Sequence, residues 1–103
     1  MTLLLIGNQP MPYAWGSEHL LQEFANLGTE GQPAAEIWFG SHPTAPSEIA
    51  GEDRRLDEIA PDLAFMVKFL AAAKPLSIQA HPSLERAKQQ FELGNPSYSD
   101  ANH

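Results

Sequence analysis

Nine prolines are distributed over 103 residues, and that density of breakers limits the fold more than any other feature of the chain. Proline holds φ near roughly −65°, lacks an N–H donor and pushes the residue before it towards extended backbone. A chain interrupted so often is restricted to short elements joined by tight turns. Leu3–Ile6 reads as a brief apolar strand, and Gln9–Pro12 as the turn after it. Ser17–Leu27 carries Leu20, Leu21, Phe24 and Leu27 along one helical stripe. Ser17 is placed to cap that helix, with Glu18 in its first turn and Gly28 as the stop. Thr29–Pro33 is a polar loop.

The middle of the chain alternates apolar runs with turn chemistry. Ala34–Ser41 predicts a strand ending near Gly40, followed by a turn through His42-Pro43-Thr44-Ala45-Pro46-Ser47. Gly51–Arg55 is a charged loop, and Leu56–Ala60 has room for one helical turn before Pro61. Leu63–Leu70 is the densest apolar run, and its aromatic content predicts a buried strand. Lys74-Pro75 turns the chain into Leu76–His81, which reads as the next strand. Pro82 ends it, Ser83 caps a second helix with Leu84, Ala87 and Phe91 on one face, and Gly94 stops that helix. Asn95–His103 is polar and turn-like. The order gives α+β, or β with helical additions.

Six Lys and Arg stand against thirteen Asp and Glu, a net charge of −7. Such a balance repels nucleic acid, and no basic run offsets it. There is no cysteine, which excludes thiolate metal sites and disulfides and fits a reducing compartment. No apolar run is long enough for a signal peptide or a membrane span. These features lead us to expect a cytoplasmic protein with no membrane or nucleic-acid partner. The mass of 11.3 kDa suffices for one modest core.

Ser77-Ile78-Gln79-Ala80-His81-Pro82 is the most informative segment. On a strand, Ser77, Gln79 and His81 share one face while Ile78 and Ala80 enter the core. Gln79 and His81 can then converge on one metal ion, for which imidazole is a good zinc ligand and an amide oxygen a weaker one. A solvated polar strand face has the same spacing and is the commoner arrangement. Glu36 and Trp38 likewise share a face. An indole beside a carboxylate suits a sugar, but the flanking Ile37 and Phe39 favour a buried Trp38 with Glu36 bonded to a neighbouring strand or loop. His42, before Pro43, reads as a loop hydrogen-bonder. Trp15 precedes Gly16 and the capping Ser17, where it either borders an anion site at the helix start or staples the helix entry. Lys68, inside an apolar run, snorkels at an edge or pairs with an acid.

These pieces together resemble a known family. Tyr13-Ala14-Trp15-Gly16 and Pro33-Ala34-Ala35-Glu36-Ile37-Trp38-Phe39-Gly40-Ser41-His42-Pro43 resemble the opening of the type I mannose-6-phosphate isomerases. Phe65-Met66-Val67-Lys68-Phe69-Leu70 leading into Leu76–Pro82 resembles their metal-site strand pair. Tyr98-Ser99-Asp100-Ala101-Asn102-His103 resembles the approach to the family's Asn-His-Lys-Pro-Glu signature. The stretch from His81 to Tyr98 is shorter than in many members.

The resemblance implies a mainly β fold with helical additions, part of a cupin-type jelly roll. Residues 1–103 would be the N-terminal part of an isomerase catalytic region. It implies Zn²⁺, one per complete site, with Gln79 and His81 as two of four ligands and the other two beyond this chain. Trp15 and Ser77 would contact a hexose 6-phosphate substrate, and His103 would be the proton-transfer candidate. The implied reaction interconverts mannose 6-phosphate and fructose 6-phosphate, as in carbohydrate metabolism and GDP-mannose biosynthesis; the isolated 103 residues would be inactive. The competing expectation is a non-catalytic sugar- or partner-binding module in which Trp15 and Trp38 are platforms and Gln79 and His81 ordinary polar residues.

Overall fold

The computed structural model describes residues 3–27, 31–98 and 100–101. In chain order its elements are β1 (Ile6–Gly7), α1 (Leu20–Ala25), β2 (Glu36–Phe39), β3 (Glu48–Ile49), α2 (Leu56–Ile59), β4 (Val67–Leu70) and α3 (Leu84–Glu92). β1 pairs antiparallel with β3, and β2 pairs antiparallel with β4. Small sheets with a few helices are consistent with a mainly β organisation carrying helical additions. A jelly roll takes eight strands; the described residues form two two-stranded sheets.

The β2–β4 register decides what each face carries. Ile37 opposes Phe69 and Phe39 opposes Val67, whereas Trp38 opposes Lys68 and Glu36 opposes Leu70. Because side chains alternate, one face is apolar and the other mixes a carboxylate, an indole, an ammonium and Leu70. On the apolar face Phe39 and Phe69 meet with ring centroids 5.5 Å apart. Ile37, fully buried, joins Leu21 of α1, Ala34 and Ala71 in the core, with Leu20, Leu27 and Phe39 packed against them.

Residues 11–17 extend the sheet without forming a named strand. Met11 N–H donates to Glu36 O and Ala35 N–H to Met11 O, at 2.7 and 2.9 Å. Ser17 N–H donates to Ala71 O and Ala73 N–H to Trp15 O, at 2.8 and 2.9 Å. The approach is so close that a Cβ on Gly16 would lie 2.5 Å from Ala35 Cα. Ser17 is not the N-cap expected of it: α1 starts at Leu20 with His19 at the cap position and no side-chain cap. The buried Ser17 Oγ, two residues earlier, accepts from the N–H groups of His19 and Leu20. Gly28, the expected stop, lies outside the described residues. Asn26 takes the left-handed conformation at φ 53°, and Leu27 N–H closes back onto Leu21 O, a geometry that asparagine tolerates well.

Further expectations need correction: the first strand is Ile6–Gly7 rather than Leu3–Ile6. Leu76–His81 forms no strand, and Ile78 is fully exposed rather than inserted into a core. No neighbouring strand offers this segment a ladder among the described residues, so alternation has no sheet to act on. Within Leu63–Leu70 only Val67–Leu70 is strand, and it is exposed along its length; Phe65 has 72% of its surface open. Its apolar side chains gain from burial only where a second layer covers them, and the described residues supply none. The α1 stripe also fails at Phe24, which is 84% exposed, because only Leu21 and the flanking Leu20 and Leu27 face the sheet. α2 forms where Leu56–Ala60 was expected to turn once, and α3 follows the predicted cap. Ser83 Oγ accepts from Arg86 N–H, Ala87 is buried, and Gly94 takes φ 70°.

Candidate active site

The polar face of the β2–β4 sheet is the most organised chemistry in the chain. Glu36, at the start of β2, is buried, and its Oε1 accepts from Trp38 Nε1–H at 2.8 Å. Opposite, Lys68 Nζ lies 4.4 Å from the centre of the Trp38 ring, a cation–π contact across the ladder. The indole is thus held at its nitrogen by a carboxylate and on its face by an ammonium. This resolves the reading of Lys68 neither as an edge snorkel nor as a direct partner of an acid. Trp38 is half-buried rather than core, and the Glu36 side chain bonds Trp38 on its own strand rather than a neighbouring strand or loop.

His42 leaves the end of β2 as a hydrogen-bonder, as its position before Pro43 implies. Its ring meets Trp38 edge-on, with centroids 5.2 Å apart and planes at 87°. Nδ1 accepts from Thr44 N–H at 3.2 Å, and Nε2 lies 3.1 Å from Asp100 Oδ2. Asn8 Nδ2 ties this turn together by donating to the carbonyls of Trp38 and Ala45, at 2.9 and 2.8 Å. The sequence reading named neither Asp100 nor Asn8 as a functional group. Asp100 had a signal, since it lies in the run leading to His103; Asn8 had none beyond its place in a turn.

Trp15 is half-buried, with the Tyr13 ring 5.8 Å away. Its carbonyl accepts from Ala73 N–H, so it is anchored to the chain that runs on to Ser77. Ser77, Gln79 and His81 are exposed. Among the described residues, no hydrogen bond, ion pair or ring contact joins Trp15 to any of them. His103 lies outside the described residues.

The donor set of Gln79 and His81 is chemically suited to zinc. Imidazole nitrogen is a preferred ligand, amide oxygen an acceptable one, and neither side chain is engaged in a hydrogen bond among the described residues. It is half a site. No group of three or more His, Cys, Asp or Glu side chains able to hold a metal occurs among the described residues, and a closed zinc site takes four ligands. No helix of the described residues is long and apolar enough to cross a membrane.

Comparison with known proteins places the chain in a family. The family model for phosphomannose isomerase type I, catalytic domain, matches residues 3–103. The mannose-6-phosphate isomerase of Escherichia coli (strain K12) is 31% identical over 126 residues, covering 93% of this chain and 32% of that protein. The alignment is longer than this chain, so the relative carries insertions. The mannose-6-phosphate isomerase of Homo sapiens is 31% identical over 121 residues, covering 88% of this chain and 28% of that protein. A mutant of phosphomannose isomerase from Salmonella typhimurium superposes with a TM-score of 0.78 at 32% identity, over 95% of this chain and 31% of its own. A mannose 6-phosphate isomerase bound with zinc and yttrium superposes at 0.74 and 31% identity, over 97% of this chain and 33% of its own. The chain therefore spans about a third of the length of the curated relatives it matches. With the family model matched from residue 3 to residue 103 and relatives above 30% identity, this chain belongs to the type I phosphomannose isomerase catalytic-domain family.

Proposed function

We propose that residues 1–103 are the N-terminal part of the catalytic region of a zinc-dependent aldose–ketose isomerase that interconverts mannose 6-phosphate and fructose 6-phosphate. The observation that carries this reading is the unbroken family match over residues 3–103. The reading includes a cupin-type jelly roll completed by polypeptide outside these residues, a cytoplasmic location and a place in GDP-mannose biosynthesis. Gln79 and His81 are the zinc ligands this chain contributes. Bound zinc would supply Lewis-acid polarisation of the sugar oxygens at the reacting carbons. Trp15 and Ser77 contact the sugar phosphate, the indole covering the apolar face of the sugar and the hydroxyl bonding a polar group.

The reaction moves a proton between C1 and C2 of the sugar through an enediol, and so requires a base within hydrogen-bond reach of that proton. His103 is the proposed proton-transfer group. A dianionic substrate approaching a chain of net charge −7 needs local positive charge. Lys68 supports that role, since its ammonium stands on the polar sheet face opposite Trp38. Glu36, bonded to the Trp38 indole, holds that ring in place.

Zinc titration of the 103-residue chain, followed by NMR, tests the ligand assignment. Weak binding with shifts centred on Gln79 and His81 is expected, and Gln79→Ala or His81→Ala should weaken it at least tenfold. Isomerase turnover by the 103 residues alone should be absent. Zinc affinity unchanged in both variants would remove these residues from the site. Shifts with mannose 6-phosphate that are indifferent to zinc would favour a non-catalytic sugar-binding module instead.

A further inference from the structure

The contact between His42 and Asp100 joins parts of the chain 58 residues apart. Asp100 belongs to the polar run after α3, in which the described residues form no strand or helix. His42 sits at the end of β2, on the same side as Trp38, Glu36 and Lys68. We propose that His42 is a positioning residue that latches the segment around Asp100 to the polar face of the β2–β4 sheet.

The hydrogen bonds fix how the latch works. Thr44 N–H donates to Nδ1, so that nitrogen acts as the acceptor and carries no proton. The ring proton is then on Nε2, which donates to Asp100 Oδ2 at 3.1 Å. A neutral imidazole suffices for this bond, and the carboxylate acceptor strengthens it. The ring cannot swing freely, because its edge meets Trp38. Trp38 is itself fixed by Glu36 at the indole nitrogen and by Lys68 on its face. The contacts form a continuous series from Lys68 on β4, through Trp38 on β2 and His42, to Asp100. Each link is directional, so the series specifies where the segment leaves the sheet. Tyr98 N–H donating to Asn95 O at 3.0 Å steers the same segment from the α3 side.

The consequence for catalysis rests on the isomerase reading, in which residues following Asp100 help to form the active site. The latch itself does not, and it is measured without turnover or zinc. In the 103-residue chain, ¹⁵N spectra of His42 should show the proton on Nε2. His42→Phe keeps the ring against Trp38 but removes both hydrogen bonds. It should lower the heteronuclear NOE of the Asp100 and Ala101 amides to values typical of a free tail, with the β2 and β4 amides unchanged. His42→Gln, whose amide can donate from nearly the same position, should restore most of the order. Asp100→Ala, which touches no sheet residue by substitution, should reproduce the loss and serves if His42→Phe unfolds. A proton on Nδ1, or Asp100 and Ala101 amides equally ordered in wild type, His42→Phe and Asp100→Ala, would overturn the proposal. Zinc affinity unchanged by both Gln79→Ala and His81→Ala with the latch intact would instead count against the isomerase reading.

Discussion

Gly16 is the position where a single atom matters most. Residues 11–17 lie so close to the start of β2 that an added Cβ would sit 2.5 Å from Ala35 Cα and 2.6 Å from Ala35 N. Both are main-chain atoms, so no side chain can swing aside. Gly16→Ala is expected to cost about 1–3 kcal/mol, the range for overpacking a tight contact, read as a lower urea midpoint. An unchanged midpoint would show that the two segments separate at no cost. The same approach places the Trp15 carbonyl on Ala73 N–H, so the substitution should also disturb the entry to Ser77. Glycine is required here by the neighbouring backbone, since the same test at Gly7 meets nothing within 4 Å.

The antiparallel β2–β4 pairing shows how unevenly stability is spread within one element pair. Ile37 and Phe69 are directly opposed, yet Ile37 is fully buried and Phe69 is nearly half exposed. Ile37→Ala removes core contacts with Leu21, Ala34 and Ala71 and is expected to cost about 2–5 kcal/mol. Val67→Thr, on the exposed strand, should stay within about 1 kcal/mol because little apolar surface is lost from a covered site. Comparison of the two unfolding midpoints checks this; equal costs would mean that β4 is covered in solution. The ladder holds β4 in place, and burial does not. That division explains why the polar face keeps its register: the Lys68–Trp38 contact depends on pairing and not on a second layer.

At the scale of the whole molecule, the surface is too large for its mass. A compact monomer of 11.3 kDa exposes roughly 5,700 Å², whereas this chain exposes 7726 Å². Its radius of gyration is 15.5 Å, against about 13 Å for a compact domain of this length. The molecule is a slab of 41 × 40 × 20 Å, and Phe65, Val67, Phe69, Leu70 and Ile78 are exposed on it. Apolar surface on that scale drives association. The purified chain should show concentration-dependent self-association by sedimentation velocity, reduced by Phe65→Lys. A strictly monomeric chain at all concentrations would contradict this. The solved relatives are about three times the length that this chain covers.

Local chemistry made several elements readable without coordinates. The Ser83 cap, the one-turn helix before Pro61 and the strand through Glu36–Phe39 follow from hydroxyl capping, proline geometry and apolar content, all properties of adjacent residues. The same holds for the family, because its motifs are contiguous runs. What adjacent residues cannot specify is which strands find partners. Leu76–His81 has strand-like composition but no ladder, and Leu63–Leu70 has core-like composition but no cover, since both outcomes depend on neighbours distant in sequence or outside these residues. The link from His42 to Asp100, the cation–π contact of Lys68 with Trp38 and the close approach of Gly16 to Ala35 likewise exist only once the chain has folded back on itself. Sequence determined the short elements and the donors available; the tertiary structure decided which donors meet, because hydrogen bonds and ring contacts are set by distance in space.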